Sequence, residues 1–249
     1  MARLLLTLCY DGTAYHGWQV QQNAVTVQQV LQDAIERITG VRSNLTGCSR
    51  TDAGVHATMF CCTTDSDTSL RGDKLCAALN AVLPRDVAVY DVREVPDAFH
   101  PRYDATGKRY EYVIYNGRQR HPFYEGRAVH IRYPLDEAML DKAAKDYLGT
   151  HDFAAFCASG SSVESTVRTV SHAAVRREGD LVIFSVEADG FLYNMVRIMA
   201  GTLLDIAAGK IAPDAIPSIL QAACRDKAGM TAPAHGLYLR NVSYPDVLR

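Results

Sequence analysis

The chain has 249 residues, 48% of them apolar and 22% charged, which suits one large domain or two ordinary ones and excludes wholesale disorder. No apolar stretch reaches the roughly 18 residues that cross a bilayer, and the Leu4-Leu5-Leu6 run meets Asp11-Gly12 with no processing site, so a soluble, cytoplasmic chain is expected. Seven cysteines without a Cys-x-x-Cys exclude a disulfide framework or a zinc ribbon. The formal net charge of −2 hides polarity: residues 100–132 hold seven basic and three acidic side chains, residues 64–97 four and seven. A polyanion-binding face is compatible with that distribution.

Residues 3–10 read as a strand. Val27, Val30, Leu31, Ala34, Ile35 and Ile38 recur on one face of a helix, with Thr26 and Gln29 as its capping box and Gly40 as its stop. Strands follow at 43–48 and 57–64 around a Gly- and Asp-containing loop. A helix over 72–83, with Leu75, Leu79 and Val82 inward, ends at Pro84, and alternating Val87, Val89 and Val92 give a strand over 86–95. The second half repeats the order: a strand at 107–115, a helix over 135–148, a hairpin of 167–177 and 181–189 turned at Gly179, helices over 192–208 and 213–223, and a strand at 236–243. The expected fold is α+β, two split-βαβ (ferredoxin-like) units sharing one mixed, mainly antiparallel sheet, with helices on one face and a central cleft. The expected domains are 1–104 and 105–249.

Three places concentrate chemistry. The loop Gly47-Cys48-Ser49-Arg50-Thr51-Asp52-Ala53-Gly54-Val55-His56 gathers Arg, Thr, Asp and His between two strands. Its Asp and Gly suit a plain turn equally well, but one carboxylate is too few for calcium and no phosphate-loop pattern is present. Arg197 lies in a helix that is apolar nearly all round and needs either an anion or a route to water. In the segment from Arg102 to Tyr112 basic residues alternate with aromatics. Strand alternation puts Tyr110 and Tyr112 on one side and Arg109 and Glu111 on the other, which fits ordinary packing or a base-stacking platform flanked by arginines.

At these residues the chain resembles the TruA family of tRNA pseudouridine synthases, and the match runs from end to end. The blocks are Tyr10-Asp11-Gly12-Thr13-Ala14-Tyr15-His16-Gly17-Trp18-Gln19, Arg50-Thr51-Asp52-Ala53-Gly54-Val55-His56-Ala57, Lys108-Arg109-Tyr110, Gly149-Thr150-His151-Asp152-Phe153, Met195-Val196-Arg197 with Gly201, and Gly236-Leu237-Tyr238-Leu239. Ser49 departs from the glycine common in the family. The resemblance implies isomerisation of uridine to pseudouridine in the anticodon arm of tRNA, at nucleotides 38 to 40, by a homodimer using neither cofactor nor metal. It implies that Asp52 is the nucleophile, Arg197 its partner, and Tyr110 a contact to the uracil ring. Arg50 is expected near a phosphate and Leu237 against the uracil. The residue chemistry agrees, since a carboxylate of ordinary acidity is ionised at neutral pH and needs no activating base. Two other readings are a non-catalytic RNA-binding module and a metal-dependent hydrolase using Asp52 and His56. His56 and the pair His151 and Asp152 are read as structural.

Overall fold

The computed structural model describes residues 1–160 and 163–245. Its first strand, β1 (Ala2–Tyr10), buries five consecutive residues, Leu4 to Leu8, as an interior strand covered on both faces does. The helix α1 (Val27–Thr39) starts where the capping residue places it, with Thr26 Oγ1 accepting from the Gln29 amide, and ends at Gly40 with φ 75°. β2 is only Thr46–Gly47, shorter than the 43–48 strand expected. Side chains of α1 take the neighbouring carbonyls instead: Gln32 Nε2 donates to Ser43 and Gln28 Nε2 to Leu45. β3 (His56–Ser66), α2 (Gly72–Val82) and β4 (Val87–Glu94) follow as read, with Leu75 and Leu79 buried and Val82 half-buried.

β5 (Gly107–Tyr115) runs as expected, and then come two short strands absent from the sequence reading, β6 (Val129–His130) and, after the next helix, β7 (Gly149–Asp152). The helix α3 (Glu137–Lys145) is shorter than 135–148, because the Asp136 carboxylate caps the Met139 amide and Leu135 donates its own amide to Asn116. β8 (Val167–Glu178) and β9 (Leu181–Ala188) form the expected hairpin. α4 (Met195–Ala207) starts later than residue 192, since Asn194 adopts a left-handed φ of 59°. α5 (Ile216–Ala222) and β10 (Leu237–Ser243) are the last helix and strand among the described residues.

Two compact units result, Met1–Thr106 with Tyr238–Arg249, and Gly107–Leu237. In the first the strand order is β4-β1-β3-β10. β1 is antiparallel to β3 and β4, and β10 lies parallel to β3 with Tyr238 opposite His56. In the second the order is β5-β9-β8-β7, all antiparallel, with β6 parallel to β5. Both are α+β, as expected. The second core centres on α4, where every residue but Arg197 and Ala207 is buried. Tyr147 Oη donates to the Met199 carbonyl, and Phe153, Phe156 and Tyr147 meet edge to face.

Candidate active site

In the first unit the loop between β2 and β3 is held by the segment that follows β1. Trp18 donates its amide to the Thr51 carbonyl at 3.2 Å and Gly54 donates to Tyr15 at 3.1 Å. The Val55 amide returns to the Asp52 carbonyl at 3.1 Å, closing a turn whose third residue, Gly54, has φ 78° as a type II turn requires. The approach is close enough to require glycine. A Cβ on Gly17 would stand 2.3 Å from the Thr51 oxygen, and one on Gly12 would stand 2.0 Å from the Val55 oxygen. Below the loop the Tyr10 and Thr51 hydroxyls share a buried hydrogen bond of 2.9 Å. Asp52, half-buried, thus rides on a loop tied to the chain's first 18 residues by two backbone hydrogen bonds and the Tyr10–Thr51 hydroxyl pair.

His56 closes the loop and is 2% exposed. Its Nδ1 accepts from the Gly12 amide at 3.0 Å, and its ring stacks on Tyr238 of β10 at 4.6 Å. Asp11 Oδ1 lies 3.2 Å from the same nitrogen and accepts from the Thr13 amide and hydroxyl. Held by the Gly12 amide, the Asp11 carboxylate and the Tyr238 ring, His56 joins the first strand, the loop and the last strand as a structural ring. Among the described residues no three His, Cys, Asp or Glu side chains gather as metal ligands would. Arg50 is exposed and borders a cavity of about 220 Å³ beside the loop.

The second unit carries the other three expected residues. Tyr110 sits in β5 opposite Val186, 6% exposed, its ring edge-on to Phe191 at 5.1 Å. Alternation holds: Arg109 pairs with Glu187 at 2.8 Å and Glu111 with Arg176 at 3.0 Å, while Tyr112, two residues past Tyr110, donates to the Pro233 carbonyl. Burial pushes the Tyr112 phenol well up, with Arg197 opposing it. Arg197 projects from the first turn of α4, half-buried, with Nε donating to the Ala232 carbonyl and Nη1 to Asn194 Oδ1, both at 2.8 Å. The guanidinium is therefore oriented by its own unit. The strand of chain that orients it lies flat on α4, because a Cβ on Gly201 would come within 1.8 Å of the Met230 oxygen. Leu237, buried, opens β10 just after the turn at 234–236. His151 and Asp152 are taken up locally, His151 Nε2 by the Leu148 carbonyl and Asp152 Oδ1 by the Ala154 amide and the Thr166 hydroxyl.

The chain matches known proteins over nearly its whole length. A family model described as tRNA pseudouridine synthase matches residues 8–104 and 143–245. The chain belongs to the tRNA pseudouridine synthase family. It is 48% identical to tRNA pseudouridine synthase A of Thermoanaerobacter sp. (strain X514), over 98% of this chain and 100% of that protein. Identity to the protein of the same name is 46% in Acetivibrio thermocellus and 43% in Clostridium acetobutylicum, each over 98% of this chain and 100% of the relative.

A tRNA pseudouridine synthase is an isomerase, and isomerisation needs no net electron transfer. Sequence reasoning missed three supports of this tRNA pseudouridine synthase: the Tyr10–Thr51 hydroxyl pair, the Tyr238 ring on His56, and the side chains around the cavity beside Arg50. The glycines at 12 and 17 were the available signal for the first, since they mark where a backbone must come close. The others join residues far apart in the chain and left no local trace.

Proposed function

We propose that this chain converts uridine to pseudouridine in the anticodon arm of tRNA, with Asp52 as nucleophile and no metal or cofactor. The observation that carries the reading is 48% identity to a tRNA pseudouridine synthase A over 98% of this chain and the whole of that protein. The clamped loop that holds Asp52 supports it. The target uridine is first extruded from its stack, at a cost of a few kcal/mol, and stacking on a ring such as Tyr110 offsets about 1–3 kcal/mol of that. The Asp52 carboxylate then attacks the ribose C1′ or the uracil C6. On either route the N1–C1′ bond breaks, the base turns, C5 joins C1′, the bond to the Asp52 carboxylate is released, and the C5 proton leaves to solvent while N1 gains one. Arg197 is assigned as the guanidinium partner of the reacting carboxylate. Leu237 gives the uracil an apolar contact, and Arg50 meets a phosphate next to the target. The enzyme works as a cytoplasmic homodimer. No helix of the described residues is long and apolar enough to cross a membrane, which is compatible with that compartment.

The test is release of tritium from tRNA labelled at uracil C5. Asp52→Asn is expected to lose the release while still binding tRNA, and Arg197→Lys to slow it, because an ammonium cannot reproduce the planar two-point grip. Undiminished turnover by Asp52→Asn would remove Asp52 from the chemistry. Pseudouridine mapping on the reacted tRNA checks the anticodon arm, and sedimentation at twice the chain mass of 27.4 kDa checks the dimer.

A further inference from the structure

The cavity beside Arg50 lies wholly within the first unit. Its wall includes Ser49 and Arg50 from the catalytic loop, Gln28 from α1, and His100, Arg102 and Tyr103 from the turn that precedes β5. No carboxylate lines it. Among the described residues neither the Arg50 nor the Arg102 guanidinium is ion-paired with an acid. Local hydrogen bonds tie the turn: His100 donates its amide to Asp104 Oδ2 at 2.8 Å, and its Nδ1 accepts the amides of Arg102 and Tyr103 at 3.1 and 3.2 Å. That bonding puts the proton of the neutral ring on Nε2 and fixes the imidazole beside Tyr103, ring centres 4.2 Å apart. Tyr103 is nonetheless 75% exposed, an unusual cost for an aromatic ring that has a cavity beside it. At about 220 Å³ the space is smaller than the roughly 300–1,000 Å³ of sites that enclose a whole small molecule. It suits one unit of a polymer that continues outside.

We propose that this cavity is a nucleotide subsite for bound RNA, in which Arg50 and Arg102 hold a phosphodiester and Tyr103, backed by His100, stacks the adjoining unpaired base. The subsite rests on the tRNA reading above and extends it to a nucleotide other than the one that reacts. Two guanidiniums without a carboxylate partner, that of Arg102 lying 5.9 Å from the Tyr103 ring centre, are the donors a phosphate takes, and an exposed ring braced by a second ring loses little freedom when a base covers it.

The experiment measures tRNA affinity of the full chain against salt concentration. Arg102→Gln removes one phosphate contact, so the slope of log K against log salt should shrink by about 1 and the affinity fall at low salt. Tyr103→Ala should weaken binding roughly 5- to 150-fold with the slope unchanged, and Tyr103→Phe should bind as the parent does. Both positions are exposed, so unchanged melting temperatures confirm folding in the same samples. Parental affinity and slope in Arg102→Gln and Tyr103→Ala would overturn the subsite, as would equal losses in Tyr103→Ala and Tyr103→Phe. Absence of pseudouridine with the parent protein would count against the proposed reaction alone, because the binding curves judge the subsite independently.

Discussion

At the scale of single residues, the loop that carries Asp52 is ruled by what it cannot accommodate. Gly17 and Gly40 share a left-handed backbone, φ 86° and 75°, but a Cβ at Gly17 meets the Thr51 oxygen while one at Gly40 meets nothing within 4 Å. Gly40→Ala should therefore cost only the conformational penalty of about 1–2 kcal/mol. Gly17→Ala should cost more and also displace Asp52, so tritium release falls further than the melting temperature alone explains. Equal effects of the two substitutions on activity would contradict this. Tyr10→Phe leaves the Thr51 hydroxyl without its buried partner, for an expected loss of roughly 0.5–1.5 kcal/mol measured by urea unfolding. The need for glycine at 17 was visible as a motif. Its reason, contact with a carbonyl 34 positions further along, was not.

At the scale of elements, periodicity and capping explain most of what formed. α1 is capped by Thr26 and buries Val27, Leu31, Ala34 and Ile35 as the spacing requires. Leu31 is fully buried, and Leu31→Ala should cost about 2–5 kcal/mol by urea unfolding. α4 was legible as a buried helix, but the partner of its Arg197 within the unit was not: the Ala232 carbonyl comes from a segment that lies on α4 only because residue 201 lacks a side chain. Gly201→Ala should push that segment off, break the Arg197–Ala232 bond and lower the rate of tritium release. An unaltered rate would show that the bond does not orient the guanidinium. The short strands β6 and β7 escaped the sequence reading because a pair of two to four residues has too few alternations to register.

At the scale of the whole molecule, acid should be the protein's weak side. Burial lowers the imidazoles of His172, where Arg109 and Lys145 add to the effect, and of His235, where Glu125 opposes it. In the unfolded chain both return to about 6.5, so the unfolded state takes up protons first as pH falls. Their contribution is complete above about pH 6.5 and is lost progressively below it. Asp65, lowered by its hydrogen bond to Arg3, and Glu137, lowered by its own amide and by Arg177, add a second loss in more acidic solution as they protonate. The urea midpoint should drop between about pH 7.5 and pH 5.5, and His172→Gln with His235→Gln should flatten that stretch. A flat profile in the parent would refute the assignment.

The sequence by itself determined the α+β class, the main helices and long strands, and the family, because those depend on local periodicity, caps and ordered short motifs that are written in neighbouring residues. Tertiary structure alone decided how each site residue is held. It set the first strand's Tyr10 under Thr51, the last strand's Tyr238 against His56, and Arg102 and Tyr103 beside Arg50. Contacts of that kind join residues tens to nearly two hundred positions apart, and only the packing of strands into sheets brings them within bonding distance.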